Sequence, residues 1–588
     1  MELTPLTKGL IGLGAVVVVG GAAYAFRDVL APPAKNQVES NIPPTANLPA
    51  DPSQVASIPA ITAPPAGCTD KPEVRFYLWA WNAQMGLMVA NGGPQSTKES
   101  LMCKNGVNLK LIREDNVDTM QSLMLSFGEQ LKAGENNPDE GAHFVAIMGD
   151  GSASFLKGLN DNLHKLGDDY TAMVVGSAGF SRGEDKFMGP PAWKENPQAA
   201  RGGLVAGYLR DGDWNIALKW LGDNQIPNNP DEGVYDPEAL NWVAASDYID
   251  AGQKYINGFC VDLKHKKTGA VEKHCVDGVV TWTPGDVTVA KEKGGLVSVV
   301  STAEYRSQMP NVIIGHKKWM AEHRDLVVGM LGATLEAGDQ IKQDDKVLQQ
   351  GAQISALVYN EQTPDYWYRY FTIQHEKDKQ GLDVELGGSS VNNVADNLAL
   401  FGMSEGSVNT FAATYTVFAM IVNSQYPALM PEWYPVEEIL DTSYLKEVAA
   451  KSSSKVGADA PTFGEGGQVV PVSRRTWDIG FKAGSAEFTP ESTKALEQLL
   501  NDLVIASGTL VEVHGHTDNQ GSVEKNMQLS EDRAFAVKKW LEKKAPANFP
   551  AGRIKVFAHG QAEPIESNGT PEGRAKNNRV EIGLGASK

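Results

Sequence analysis

From Glu73 onward the chain alternates short apolar runs with longer amphipathic stretches, the pattern of an α/β fold built on a largely parallel sheet. Val74 to Trp81, Val107 to Arg113, His143 to Met148 and Thr171 to Ser177 read as successive strands. A helix beginning near Thr119 carries Leu123, Phe127 and Leu131 along one side. The strands run out into small or polar residues at Trp81-Asn82-Ala83-Gln84, Gly149-Asp150-Gly151-Ser152 and Gly176-Ser177-Ala178-Gly179. Ligands of open parallel sheets sit beyond the carboxyl ends of the strands, so a ligand is sought at these loops.

Toward the N-terminus the alternation gives way to an uncharged apolar run, Gly9 to Phe26, lying between Lys8 and Arg27-Asp28. Such a run is long enough to cross a bilayer core. Its length favours an uncleaved transmembrane anchor over residues 1–30; the rival is a signal peptide, for which Ala23-Tyr24-Ala25 has the form of a cleavage site. Residues 31–69 follow as a linker marked by Pro32-Pro33, Pro43-Pro44 and Pro64-Pro65. In polyproline II geometry the 36 proline-dense residues 31–66 reach about 110 Å. The α/β region occupies 70–448, a polar Gly-rich linker 449–474, and a small α+β domain 475–588. In that last domain Thr489-Pro490 marks a helix start and Leu496, Leu499, Leu500, Leu503 and Val504 share one face. Leu510 to Val513 then reads as a strand, and a second helix runs to about Lys543 with Leu529, Ala536, Val537, Trp540 and Leu541 turned inward.

Composition narrows the function. A chain of 588 residues exceeds one hydrophobic core, and 42% hydrophobic with 21% charged residues is the make-up of folded globular domains. A formal net charge of -19, with no Lys/Arg cluster, argues against a nucleic-acid partner. The four cysteines form two local pairs, Cys68 with Cys103 and Cys260 with Cys275, without the spacing of zinc or redox motifs; two disulfides are expected. Lys266-Lys267-Thr268-Gly269 reads as a hairpin turn that brings the second pair together. With the apolar start, this points outside the cytoplasm. His514 and His516 share one strand face, but the sequence supplies no further ligands beside them, so neither metal nor cofactor is expected.

The order of these elements, together with VVTWTPGDVTVAKEKGGLVSVVSTAEY at 279–305 and NVIIGHKKWMAEHRDLVVGMLGATLEAG at 311–338, resembles the sulfonate, taurine and nitrate branch of type II periplasmic solute-binding proteins. The resemblance implies two α/β lobes joined by crossovers: lobe 1 over about 70–180 and 310–448, lobe 2 over about 181–309, with a ligand trapped by hinge closure. Carried over position by position, the ligand contacts are Trp81 and Asn82, then Asp150, Gly151 and Ser152, then Ser177. Trp282, Thr283 and Asp286 of the TWTPGD loop join them, as do Arg182, Trp214 and Asn215. An aromatic wall with a few convergent polar groups suits a small ligand, expected to be anionic or zwitterionic. The competing reading makes the tryptophans core or hinge packing and the Gly-Asp-Gly turns ordinary turn chemistry.

VEVHGHTDNQGS, NMQLSEDRAFAVKKWL and EGRAKNNRVEI, in that order, resemble the C-terminal domain of the OmpA family, shared by flagellar stator proteins and lipoprotein tethers. The resemblance implies that one Asp and one Arg grip the diaminopimelate of the peptidoglycan stem. Asp518 and Arg533 match them, and Thr517, Asn519, Asn526 and Arg579 match further motif positions. Diaminopimelate presents an ammonium and a carboxylate on one carbon, for which an acid and a guanidinium fork are the fitting partners. An internal Asp518–Arg533 salt bridge, and an Arg579 that merely packs on the sheet edge, are the structural alternatives.

These expectations combine into a non-catalytic tether or sensor of a Gram-negative envelope, anchored in the inner membrane and binding peptidoglycan and a small ligand in the periplasm. The alternative is a stator-like or structural component of a complex with membrane-protein partners. Gly9 to Phe26 carries no carboxylate, so such a component would not conduct ions. Enzyme activity is disfavoured: GxxxxGK[ST] and HExxH are absent, as is the CCCFC segment of the related thiamine pyrimidine synthases.

Overall fold

A strand covered on both faces has no polar side to present, and Ala172–Ser181, every residue of which is buried, shows this most clearly. In the computed structural model this strand belongs to a six-stranded sheet ordered Ser389–Val391, Ala172–Ser181, Pro310–His316, Phe144–Met148, Glu73–Leu78 and Asn108–Arg113. Glu73–Leu78 pairs in parallel with both of its neighbours, whereas Pro310–His316 is antiparallel to both of its own. The structure describes residues 63–209, 212–463 and 469–587. The expected anchor, 1–30, and most of the linker 31–69 lie outside them. Among the described residues no helix is long and apolar enough to cross a membrane.

A second sheet repeats the same topology. Its five strands run Val297–Ser301, Lys186–Gly189, Gly278–Thr281, Leu204–Gly207 and Asn241–Ala244. Here Lys186–Gly189 is the inserted antiparallel strand. In each sheet the inserted strand is the first one the chain forms after crossing from the other sheet, by residues 182–185 outward and 302–309 back. Two α/β lobes joined by paired crossovers result, the arrangement in which a hinge opens and closes a cleft.

Helices cover the sheets with capped ends. Val117–Ala133 starts at Asn116, whose side chain accepts from the Thr119 N–H, and ends at Gly134 with φ +101°. Its buried face is Met120, Met124, Phe127 and Leu131. Both disulfides pair as expected, Cys68 with Cys103 and Cys260 with Cys275, and no described cysteine is free. The second clamps a hairpin in which Cys260 and Cys275 stand directly opposite, on strands Cys260–His265 and Val271–Cys275.

The distal domain is a four-stranded sheet ordered Val469–Trp477, Val580–Ser587, Leu510–His516 and Ile554–Gly560. Helices Ser492–Ile505 and Val523–Lys544 cover one face. The longer helix lies so close that a Cβ on Gly515 would stand 2.0 Å from the Ser530 carbonyl oxygen, so the Gly of the GHTD motif is needed for packing. That helix buries Asn526, Ser530, Arg533, Ala534, Val537 and Leu541, leaving Leu529, Ala536 and Trp540 on its flanks rather than in the core.

The distal sheet begins inside the stretch read as a linker: Val469 opens its first strand, so residues from 469 onward are structural. Earlier, Asp459 lies between two arginines of the crossovers, 2.6 Å from Arg306 and 3.6 Å from Arg182. The distal domain also docks on the return crossover, with Ser307 N donating to Ile505 O (3.0 Å) and Gly508 N to Glu304 O (3.1 Å). A buried ionic network completes the junction. Lys219 reaches Asp223 (3.0 Å) and Asp502 (2.5 Å), while Arg475 stands 3.4 Å from Asp502 and Tyr305 donates to Asp223 (2.8 Å).

Candidate functional site

Two places bring the candidate residues together. In the distal domain Asp518 follows the strand Leu510–His516, and Arg533 projects from the helix packed on that strand. Asn578 stands between them: its Nδ2 donates to Asp518 Oδ2 (2.7 Å), and its Oδ1 accepts from Arg533 Nη1 (3.0 Å). Among the described residues the two charges form no direct ion pair. Arg533 is further placed by Nε donating to Ser485 O (3.1 Å) and by the Phe481 ring, 5.2 Å beneath its guanidinium. Burial lowers its pKa, with the nearby Asp518 opposing the shift. The acid and the base are thus set side by side without being spent on each other.

The other motif residues shape this rim unequally. Asn526 Nδ2 donates to Asp518 O (3.1 Å) and to Gln561 Oε1 (2.7 Å), and Thr517 Oγ1 donates to Asp518 O (3.0 Å). Asn519 is exposed, its N–H donating to Asn568 Oδ1 (3.3 Å). Arg579 does not join them. It turns to Glu581 (2.7 Å) and to the carbonyl of Glu563 (3.2 Å), because neighbours in extended chain point to opposite sides and Asn578 has taken the pocket side. Asn578 is the bridging residue that motif reading passed over, although NNR in EGRAKNNRVEI placed it one position from the residue chosen.

The second place is the seam between the lobes. Trp282 packs tilted against Tyr248, ring centres 4.1 Å apart, and meets Trp79 at the end of the first sheet's strand edge-on at 6.1 Å, so it spans both lobes. Trp81 and Asn82 close the first strand, fully buried, and neither Trp81 Nε1 nor either amide atom of Asn82 has a hydrogen-bond partner. Thr283 Oγ1 is buried and unpartnered too. Asp286 holds Lys186 at 2.6 Å and accepts from Gly387 N (3.1 Å), tying lobe 2 to the loop before Ser389–Val391. Cavities of about 360 Å³, between Arg113, Asn116, Tyr248 and Trp282, and about 510 Å³, between Trp79, Gly151, Ser154 and Leu209, open along this seam.

Several expected contacts lie elsewhere. Ser177 falls in mid-strand, because the strand expected to stop there continues to Ser181. It accepts from Asn392 Nδ2 (2.9 Å) inside lobe 1. Arg182 points to Asp459 and the Arg306 carbonyl, and burial with the adjacent Arg306 lowers its pKa to about 9. Ser152 closes its own turn on Gly149 O. Trp214 packs against Tyr426 at 4.9 Å, with Asn215 buried behind it. Asp150 is buried against the return crossover, accepting from Gln308 Nε2 at 2.7 Å.

The true end of the Ala172–Ser181 strand exposes what was missed, Glu184 and Asp185 in the first crossover. Both are fully buried. Ser389 Oγ donates to Glu184, the Asn82 N–H approaches it, and its other oxygen has no partner. Burial, then the neighbouring Asp185, raises Glu184 well above the carboxylate range. Asp185 lies against Asp213 and Ser181, and burial pushes it up to about 6. The buried groups of the cleft are therefore richer in acid than in base.

Comparison with known proteins assigns the two parts differently. Residues 480–578 match the model of the OmpA family, so the C-terminal part of the chain is an OmpA domain. Over 104 residues the chain is 38% identical to the peptidoglycan-binding protein ArfA of Mycobacterium tuberculosis, covering 18% of this chain and 31% of that protein. Over 107 residues it is 37% identical to the probable lipoprotein YiaD of Escherichia coli, covering 18% and 48%. The chain thus spans less than two thirds of these relatives. Among solved structures, the cell wall anchor of the T6SS from Pseudomonas aeruginosa matches at 30% identity over 21% of this chain and 88% of that one, with a TM-score of 0.18. The periplasmic nitrate-binding protein NrtA from Synechocystis matches at 9% identity over 66% and 93%, with a TM-score of 0.44.

Proposed function

We propose that this is a periplasmic envelope protein that grips peptidoglycan through its OmpA domain and closes its two-lobed module on a small ligand, with the N-terminal segment anchoring it to the inner membrane. The observation that carries the wall-binding half is the Asn578 bridge, which holds Asp518 and Arg533 on one rim with both charges available. An ammonium on Asp518 and a carboxylate on Arg533 would complete it, as the zwitterionic end of diaminopimelate supplies. Retention on purified sacculi tests this: Asp518→Ala and Arg533→Ala each drop binding to background, and undiminished retention of both variants rejects the site.

For the module, the buried acids narrow the ligand. A bare anion beside Glu184 and Asp185 gains no opposite charge and holds both acids protonated, whereas a protonated nitrogen would favour their ionised form and satisfy the free Glu184 oxygen. The ligand class favoured is zwitterionic or cationic, with the aromatic wall of Trp81 and Trp282 supplying contact area. Thermal-shift screening of amino acids and amines against nitrate and alkyl sulfonates separates the signs. A ligand present at about 100 times its Kd adds about 2.7 kcal/mol. Stabilisation by nitrate or sulfonates alone would reject the acidic reading.

A further inference from the structure

We propose that the distal sheet carries a site for a divalent first-row transition metal, with His516, His559 and Glu563 as ligands. The strand Leu510–His516 turns Val511, Val513 and Gly515 toward the helices, so Glu512, His514 and His516 leave the opposite face. The neighbouring strand Ile554–Gly560 brings up His559 beside them. The His516 and His559 rings stack at 4.6 Å with 6° between their planes. One donor atom each from His516, His559 and Glu563 falls within 4.8 Å of the others.

One assignment of the ring protons along a line of hydrogen bonds leaves a nitrogen bare. Glu512 is an acceptor, held below the usual carboxylate range first by its hydrogen bond with His514, so His514 Nε2, 3.3 Å away, carries the proton. With that proton on Nε2, His514 offers a lone pair at Nδ1, into which His559 Nε2 donates at 2.9 Å. That leaves the lone pair of His559 Nδ1 facing a carboxylate oxygen of Glu563 at 3.1 Å. Two electron-rich atoms so placed call for a cation between them.

His516 is the independent observation. Its ring is fully buried, and neither nitrogen has a hydrogen-bond partner; Glu563 stands 4.0 Å from Nδ1 and Glu581 3.8 Å from Nε2. Ligands about 2.0–2.1 Å from a tetrahedral zinc stand about 3.3 Å apart. The His559–Glu563 pair already has that spacing, and Glu563, with a side chain 52% exposed, is free to swing toward His516.

The local charge admits a dication. Arg474 and Arg579 face the cluster and Glu581 contacts both, at 2.6 Å and 2.7 Å; with Glu512 and Glu563 the carboxylates outnumber these two guanidiniums by one. Arg474 stands 3.9 Å from Glu563, the weaker of its two contacts. The Glu512–His514–His559 relay is the outer support that metal-bound imidazoles commonly have, which makes His514 a positioning residue. An ion here would clamp two strands at the base of the loop that carries Asp518.

The test uses the full chain, stripped with chelator and titrated with zinc by calorimetry, with metal content read by mass spectrometry. One equivalent binds saturably to the wild type. His559→Ala and Glu563→Gln, both at accessible positions, lose that binding while still being retained on sacculi, which reports that the domain is folded. His514→Phe weakens zinc about tenfold or more. Cobalt in the wild-type site gives the intense visible bands of a low-coordinate N/O environment. Zinc uptake unchanged in both ligand variants, or no saturable uptake by the wild type, overturns the site and leaves the contact as a histidine–glutamate hydrogen bond shared through a proton.

Discussion

The Asp518–Arg533 pocket and the inter-lobe cleft both form where strands end, yet they handle charge in opposite ways. At the pocket an acid and a base of opposite sign are kept apart by one amide, Asn578, and Asp518 stays partly open to solvent. In the cleft, acids of the same sign are gathered out of water against the hinge, and a fully buried asparagine lacks partners. The first arrangement is ready to bind without moving. The second stores unfavourable desolvation that a closing ligand would relieve, as the proposed closure on a ligand requires.

The sharpest way to break this comparison is at the pocket. Arg533→Ala is expected to remove sacculus retention altogether, whereas Asn578→Ala should cost about 1.5–3 kcal/mol, the range for hydrogen bonds to charged groups. Retention of Asn578→Ala at wild-type strength would show that the bridge is incidental. Next comes the junction between the two parts: Lys219→Met leaves Asp223 and Asp502 buried with Arg475 as the remaining cation nearby, and should destabilise by about 3–5 kcal/mol in denaturant melts. A change below 1 kcal/mol, on the order of a surface pair, would mean the junction is wet or open.

The cleft is probed by pH. Asp185 titrates near 6 in the folded chain against 3.8 as its unperturbed value, so the native state holds the proton more tightly. Its stabilising contribution is complete below about pH 4 and is lost as pH rises through 6, about 3 kcal/mol in all for the ligand-free protein. Asp185→Asn should flatten that slope, and a cationic ligand should bind more tightly above pH 6 than below it. A slope of the opposite sign in the wild type would contradict the desolvated acid. The smallest effect expected is at Ser177: Ser177→Ala should cost about 1 kcal/mol and leave ligand binding unchanged, while Asn82→Ala removes binding.

How far each site could be read from residues alone follows from how local it is. Asp518 and Arg533 belong to one strand, its loop and the next helix, so the spacing of the motif carries their geometry, and Gly515 records how closely that helix approaches. Cys260 and Cys275 were legible for the same reason, being the two ends of one hairpin. Ser177 misled because Ala178-Gly179 looks like a strand end. The strand continues because Ser389–Val391, more than two hundred residues away, pairs with Gly179 to Ser181.

The sequence by itself determined the alternating elements, the disulfide pairs and the juxtaposed acid and guanidinium of the distal domain, since each depends on neighbours within a few turns of chain. Tertiary structure alone decided that Glu184 and Asp185 would be buried at the hinge, that Arg579 would face Glu581, and that His559 would come to stand on His516. Those outcomes depend on which distant strands lie side by side. Burial and pairing then set the charge state of each group, and no local pattern encodes either one.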